Sequence, residues 1–153
     1  MARAGCAVAA GMTTSLVKPL YTARATATGG RSGHAMTDDG QVDVHLKPPK
    51  EMGGPGGGTN PEQLFATGYA ACFQSALGAV GRRQGVNTED SLVEADVTIG
   101  TIGGGGYGLA VRIKVSIPGV PADTVAELAE AAHQVCPYSN ATRGNIDVTL
   151  EAN

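Results

Sequence analysis

No stretch of this 153-residue chain approaches 18 consecutive apolar residues, so no membrane-spanning helix is expected. No run of like charges marks a charged tail or a membrane-surface helix. Lysine and arginine number 11 against 14 aspartates and glutamates, a net charge of −3 with a pI near 5.5, which argues against electrostatic binding of nucleic acid. Cysteine is sparse, with Cys6, Cys72 and Cys136 only and no CxxC spacing. A chain of this length buries a core without cross-links. The sparse thiols therefore point to chemistry in a reducing cytoplasm rather than to a disulfide scaffold.

Metal binding is not expected either. His133 and Cys136 share an HxxC spacing, but a structural zinc site needs four ligands and a catalytic one at least three. His34 and His45 lie on predicted strands without local partners. No nucleophile-elbow motif supports a serine hydrolase.

Residues 1–15 read as an N-terminal extension and residues 16–153 as one domain. Met1 to Gly11 is small and weakly apolar, with Arg3 as its charge, and lacks the longer apolar run of a signal peptide. It is expected to be disordered, with Cys6 idle inside it. Leu20 to Thr28 alternates with period two and predicts a strand. Gly29-Gly30 predicts a turn, Arg31 to Met36 the returning strand, and Val42 to Leu46 a third after Asp38-Asp39-Gly40. Lys47 to Thr59, rich in glycine and proline, reads as a flexible connector.

Asn60-Pro61-Glu62-Gln63 is a strong helix start, with a cap, a proline at the first helical position and an early acid. The helix should run to about Gln84 and stop at Gly85. Apolar and small residues crowd its whole circumference, which predicts burial on most sides. Strands follow at Val93 to Ile99 and Tyr107 to Ile117, then a helix from Pro121 to Val135. Pro137 breaks it, a short helix reaches about Arg143, and a last strand spans Ile146 to Leu150. The order βββαββααβ predicts an α+β fold, a mainly antiparallel sheet wrapped around a long central helix.

The separation of Cys72 and Cys136 favours a pair brought together by the fold. Cys72 lies in mid-helix, where apolar burial raises a thiol pKa, so reactivity requires a cation from another element. Arg24, Arg31, Arg82, Arg83, Arg112 and Arg143 are candidates. Arg82 and Arg83 lie about 15 Å along the helix axis, too far. Spacing does not choose among the others. Cys136 falls at a helix N-cap, where free N–H groups favour a thiolate suited to disulfide exchange.

The blocks Leu20-Tyr21-Thr22-Ala23, Thr28-Gly29-Gly30-Arg31, Gly58-Thr59-Asn60-Pro61-Glu62-Gln63-Leu64-Phe65, Gly68-Tyr69-Ala70-Ala71-Cys72-Phe73 and Cys136-Pro137-Tyr138-Ser139-Asn140-Ala141-Thr142-Arg143-Gly144-Asn145 resemble the organic hydroperoxide resistance proteins. These form one branch of the OsmC-like superfamily, and the resemblance covers about residues 16–152. It implies an intertwined homodimer with active sites at the subunit interface, working as a haem-free thiol peroxidase of the bacterial cytoplasm and protecting against oxidative stress. Cys72 would be the peroxidatic cysteine and Cys136 the resolving one, through a sulfenic acid and a Cys72–Cys136 disulfide. Arg31 matches the family arginine that stabilises the thiolate, and Glu62 the carboxylate that orients it. The substrates implied are alkyl and lipid hydroperoxides, reduced to alcohols. No bound cofactor is implied. The external reductant would be dihydrolipoamide or a lipoylated enzyme subunit rather than thioredoxin or glutathione.

Helix geometry adds a constraint, since Glu62 and Cys72 stand ten residues, about 15 Å, apart on a straight helix. Either the helix bends near Gly68 or Glu62 and its arginine come from a second subunit. Phe65, Phe73, Met36 and Tyr138 serve equally as a pocket lining for an apolar substrate or as ordinary core. Two other readings keep the same residues: a non-catalytic OsmC-like protein that binds hydrophobic ligands, and a merely structural disulfide.

Overall fold

In the computed structural model, residues 13–153 are described. The expected disorder of the first residues, and Cys6 with it, fall on residues 1–12, outside the described part. Residues 13–24 carry no regular structure and are exposed throughout.

Three short strands, β1 (Ala25–Thr28), β2 (His34–Thr37) and β3 (Asp43–His45), form an antiparallel meander. β1 starts later than its alternating pattern because Ala25 pairs with Thr37, the last residue of β2, and residues 20–24 lie beyond that pairing. β2 also starts late: Arg31 sits instead on a 3-10 turn over Gly30–Ser32. Gly29 and Gly30, at φ of 72° and 56°, supply the left-handed backbone that swings the chain into that turn. The stretch from Lys47 to Thr59 is more than a loose connector. It holds a 3-10 turn at Lys50–Met52, and backbone hydrogen bonds close Thr59 onto His45 and Lys47.

Helix α1 (Pro61–Gln84) begins and ends where its caps dictate. The Asn60 side chain accepts from the Gln63 N–H at 2.9 Å, and the Gln63 side chain accepts from the Asn60 N–H at 3.2 Å. Gly85, at φ 71°, closes the helix by donating to the Gly81 carbonyl.

A second sheet pairs β4 (Leu92–Thr101) antiparallel to β5 (Tyr107–Ser116) and β5 parallel to β6 (Val148–Ala152). The parallel pair requires a long crossover, supplied by α2 (Ala122–Val135) and α3 (Pro137–Thr142). β6 lies two residues later than its pattern, because the register sets Val111 opposite Val148. The inward residues Val93, Val111, Ile113 and Val115 meet Tyr69, Phe73, Leu77 and Val80 of α1 and Val125, Leu128 and Ala132 of α2. Each large side chain buried there contributes about 1.5–3 kcal/mol.

The α+β order is the expected one, but the described residues make two three-stranded sheets rather than one. No residue of β1–β3 belongs to the core. Helix α1 is buried along one face, while Leu64, Ala71, Gln74, Ser75 and Arg82 remain exposed, so burial on most sides is not achieved within one chain. Among the described residues, no helix is long and apolar enough to cross a membrane.

Candidate active site

The predicted site residues come together as two separate pairs. The first is Arg31 and Glu62. Glu62 is the second residue of α1, where free N–H groups favour a carboxylate. The Arg31 guanidinium donates to it through both terminal nitrogens, at 2.8 and 2.7 Å. This forked geometry is specific to arginine. The hydrogen bonds from Arg31 hold the Glu62 carboxyl below the usual carboxylate range, against the opposing effect of its partial burial. Glu62 also lines a cavity of about 610 Å³ with Pro49, Met52, Ala66, Val97 and Ile99.

The second pair is Cys72 and Cys136. Helix α2 ends at Val135 because Pro137 disfavours helix at the residue before it. Cys136 takes φ −67° and ψ 125°, closing α2 and capping α3 at once. It is fully buried, Cys72 is partly buried, and both thiols are free. Burial pushes the Cys72 thiol up, and the neighbouring Cys136 side chain pushes it the same way, while a hydrogen bond from the Tyr138 backbone N–H opposes them. That N–H lies in the first turn of α3, where helical amides lack an intrahelical acceptor. Cys136 is the N-cap residue of α3, as the sequence predicts.

The two pairs do not meet within the chain. Helix α1 is unbroken from Pro61 to Gln84, so the expected alternative of a bend near Gly68 does not occur. Ten residues of straight helix set Glu62 and Cys72 about 15 Å apart, and Arg31 is not among the groups acting on the Cys72 thiol. Gly68 has a different role. An added Cβ there would lie 2.6 Å from the Tyr138 hydroxyl, so the glycine permits α3 to close onto α1.

Among the other arginines, Arg112 pairs with Asp96 and Glu151, and Arg143 donates to the His133 carbonyl and to Asn140. Arg83, set aside on axial distance, lines a cavity of about 460 Å³ with Cys72, Ala76, Ala79, Val135 and Pro137. Eleven residues make about three turns, so both side chains leave one face of the helix. Phe73 proves to be core, whereas Phe65 meets Tyr138 edge-on at 6.0 Å. Among the described residues, no group of three or more His, Cys, Asp or Glu side chains is arranged to hold a metal.

Comparison with known proteins gives a consistent result. The OsmC-like protein family model matches residues 54–151. The organic hydroperoxide resistance protein of Xanthomonas axonopodis pv. citri is 53% identical over 135 residues, 87% of this chain and 94% of that protein. The crystal structure of an organic hydroperoxide resistance protein from Legionella pneumophila superposes with a TM-score of 0.83 at 47% identity, covering 88% of this chain and 98% of that one. OhrB of Bacillus subtilis, also an organic hydroperoxide resistance protein, superposes at 0.80 with 45% identity, covering 87% and 98%. With its two cysteines paired on this fold, the chain belongs to the OsmC-like protein family, in the branch of the organic hydroperoxide resistance proteins.

Proposed function

We propose that this chain is a thiol peroxidase that reduces organic hydroperoxides in the cytoplasm. The observation that carries the reading is the pairing of a partly exposed Cys72 with a fully buried Cys136 at the start of α3. The relatives named organic hydroperoxide resistance proteins support the substrate class.

The Cys72 thiolate attacks the terminal oxygen of the hydroperoxide and the O–O bond breaks. The alkoxide takes a proton and leaves as the alcohol, and Cys72 becomes a sulfenic acid. The Cys136 sulfur then attacks the Cys72 sulfur, water leaves, and a Cys72–Cys136 disulfide forms. A dihydrolipoyl group, free or on a lipoylated enzyme subunit, reduces that disulfide through its own two thiols and is itself oxidised to the cyclic disulfide. No resident cofactor or metal takes part.

The cation for Cys72 comes, in this reading, from a second copy of the chain. Leu16, Val17, Leu20 and Tyr21 are all more than 80% exposed, the meander adds nothing to the core, and one face of α1 lies uncovered. Surface of this kind marks an interface. In the homodimer the Arg31–Glu62 pair of one chain closes over Cys72 of its partner, with the hydroperoxide between them.

Peroxide consumption driven by dihydrolipoamide tests the reading. Cys72→Ser should abolish turnover, and Cys136→Ser should permit one stoichiometric reduction without recycling. Turnover surviving Cys72→Ser overturns the proposal and favours a protein that binds hydrophobic ligands without chemistry.

A further inference from the structure

Behind the thiol pair lies a closed set of polar side chains in the core. Ser139 is fully buried on α3, and its hydroxyl is hydrogen-bonded to the Tyr69 hydroxyl at 2.9 Å and to His133 Nδ1 at 2.8 Å. Tyr69 is also hydrogen-bonded to the Thr142 hydroxyl at 3.0 Å, and that hydroxyl donates to the Ser139 carbonyl at 3.3 Å. No buried side-chain nitrogen or oxygen among the described residues lacks a partner.

The three helices involved are those that build the thiol site. Tyr69 stands one turn before Cys72 on α1, His133 one turn before Cys136 at the end of α2, and Ser139 one residue after Tyr138 on α3. A six-residue helix does not hold its own place, and its position follows from what it is bound to. Two of its hydroxyls grip Tyr69 and one grips His133, while the Tyr138 ring rests over Gly68. A buried, fully paired network of this kind specifies one arrangement, since any shift leaves a polar group unmatched.

We propose that Ser139, gripped by Tyr69 and His133, is a positioning residue that presents the Tyr138 amide N–H and the Cys136 thiol to Cys72. It touches neither substrate nor the reacting atoms. It acts by setting where α3 begins. The inference rests on the reading of Cys72 as the reacting thiol, and its test is chosen to be independent of peroxide turnover.

The measurement is the rate of Cys72 alkylation by iodoacetamide across neutral to alkaline pH, followed on the Cys72 peptide by mass spectrometry. It uses the full-length Cys136→Ser protein as parent, which removes the neighbouring thiol that acts on Cys72. Tyr69→Phe keeps the ring that packs against Phe65, Phe73 and Tyr138 and deletes only the oxygen. In that variant, and in Ser139→Ala, alkylation at neutral pH should slow by about tenfold, the scale of one lost hydrogen bond to an anion, with unchanged helix content. His133→Asn, which places an amide nitrogen near Nδ1, should stay close to the parent curve, and His133→Leu should behave like Tyr69→Phe. A folded Tyr69→Phe protein whose Cys72 titrates as the parent does overturns the proposal. Should Ser139→Ala not fold, Tyr69→Phe decides alone.

Discussion

Tyr138 lies across Gly68, its hydroxyl 2.6 Å from where a Cβ on that glycine would stand. The contact joins α3 to α1 one turn ahead of Cys72, and the ring is rigid enough that it has to move as a body. Gly68→Ala gains helix propensity on α1 but drives the Tyr138 ring outward, the overpacking that costs about 1–3 kcal/mol. The expected outcome is a lower melting temperature together with slower Cys72–Cys136 disulfide formation after one equivalent of peroxide. Unchanged disulfide kinetics would show that the ring is free to swing aside.

A site shared between two chains predicts complementation. Cys72→Ser and Arg31→Ala chains should each be inactive alone, while a mixed dimer would keep one intact site. Random pairing after co-refolding should restore about one quarter of the wild-type activity, as expected for a two-fold dimer. No recovery would place each complete site within one chain.

Within the described residues, burial pushes the Cys72 thiol up and no arginine is among the groups that oppose it. If Arg31 of a second copy supplies that charge, Arg31→Ala should move the pH midpoint of Cys72 alkylation upward. Arg31→Lys should recover only part of the shift, because an ammonium cannot grip Glu62 through two nitrogens while facing sulfur. An alkylation profile insensitive to Arg31 would remove it from the site.

The Glu62 carboxyl is held below the usual carboxylate range by Arg31. A depressed carboxylate pKa contributes stability above the unfolded-state value and loses it as the pH falls through the folded-state value. Melting temperature should therefore drop on acidification below the ordinary carboxylate range, and Glu62→Gln should flatten part of that drop. Arg31 is 38% exposed, so solvent screening keeps the effect small. Parallel acid profiles for the two proteins would mean the pair adds nothing to stability.

Elements with local signals were legible from the chain. Asn60-Pro61 and Gly85 bound α1, and Cys136-Pro137 divides α2 from α3, because caps and prolines act within one turn of backbone. The strands were legible as elements but less so in extent. β1 was expected from Leu20 and begins at Ala25, since a strand ends where its partner does. Cys72 and Cys136 were legible as a pair from their settings, but Arg31 and Glu62 only through the resemblance, as four arginines stayed open on spacing alone.

Period, caps and turn residues determine which segments become helix or strand, and they place Cys136 at the head of α3 before any tertiary contact is known. They do not determine which atoms face each other across elements distant in the chain. That Cys72 shares a cavity with Pro137 of α3, that Gly68 admits a ring, and that Arg31 grips Glu62 rather than Cys72 follow from packing, where close approach and burial choose the partner. The unbroken course of α1 is the tertiary fact with the widest consequence, for it holds the Arg31–Glu62 pair and the Cys72–Cys136 pair apart within a single chain.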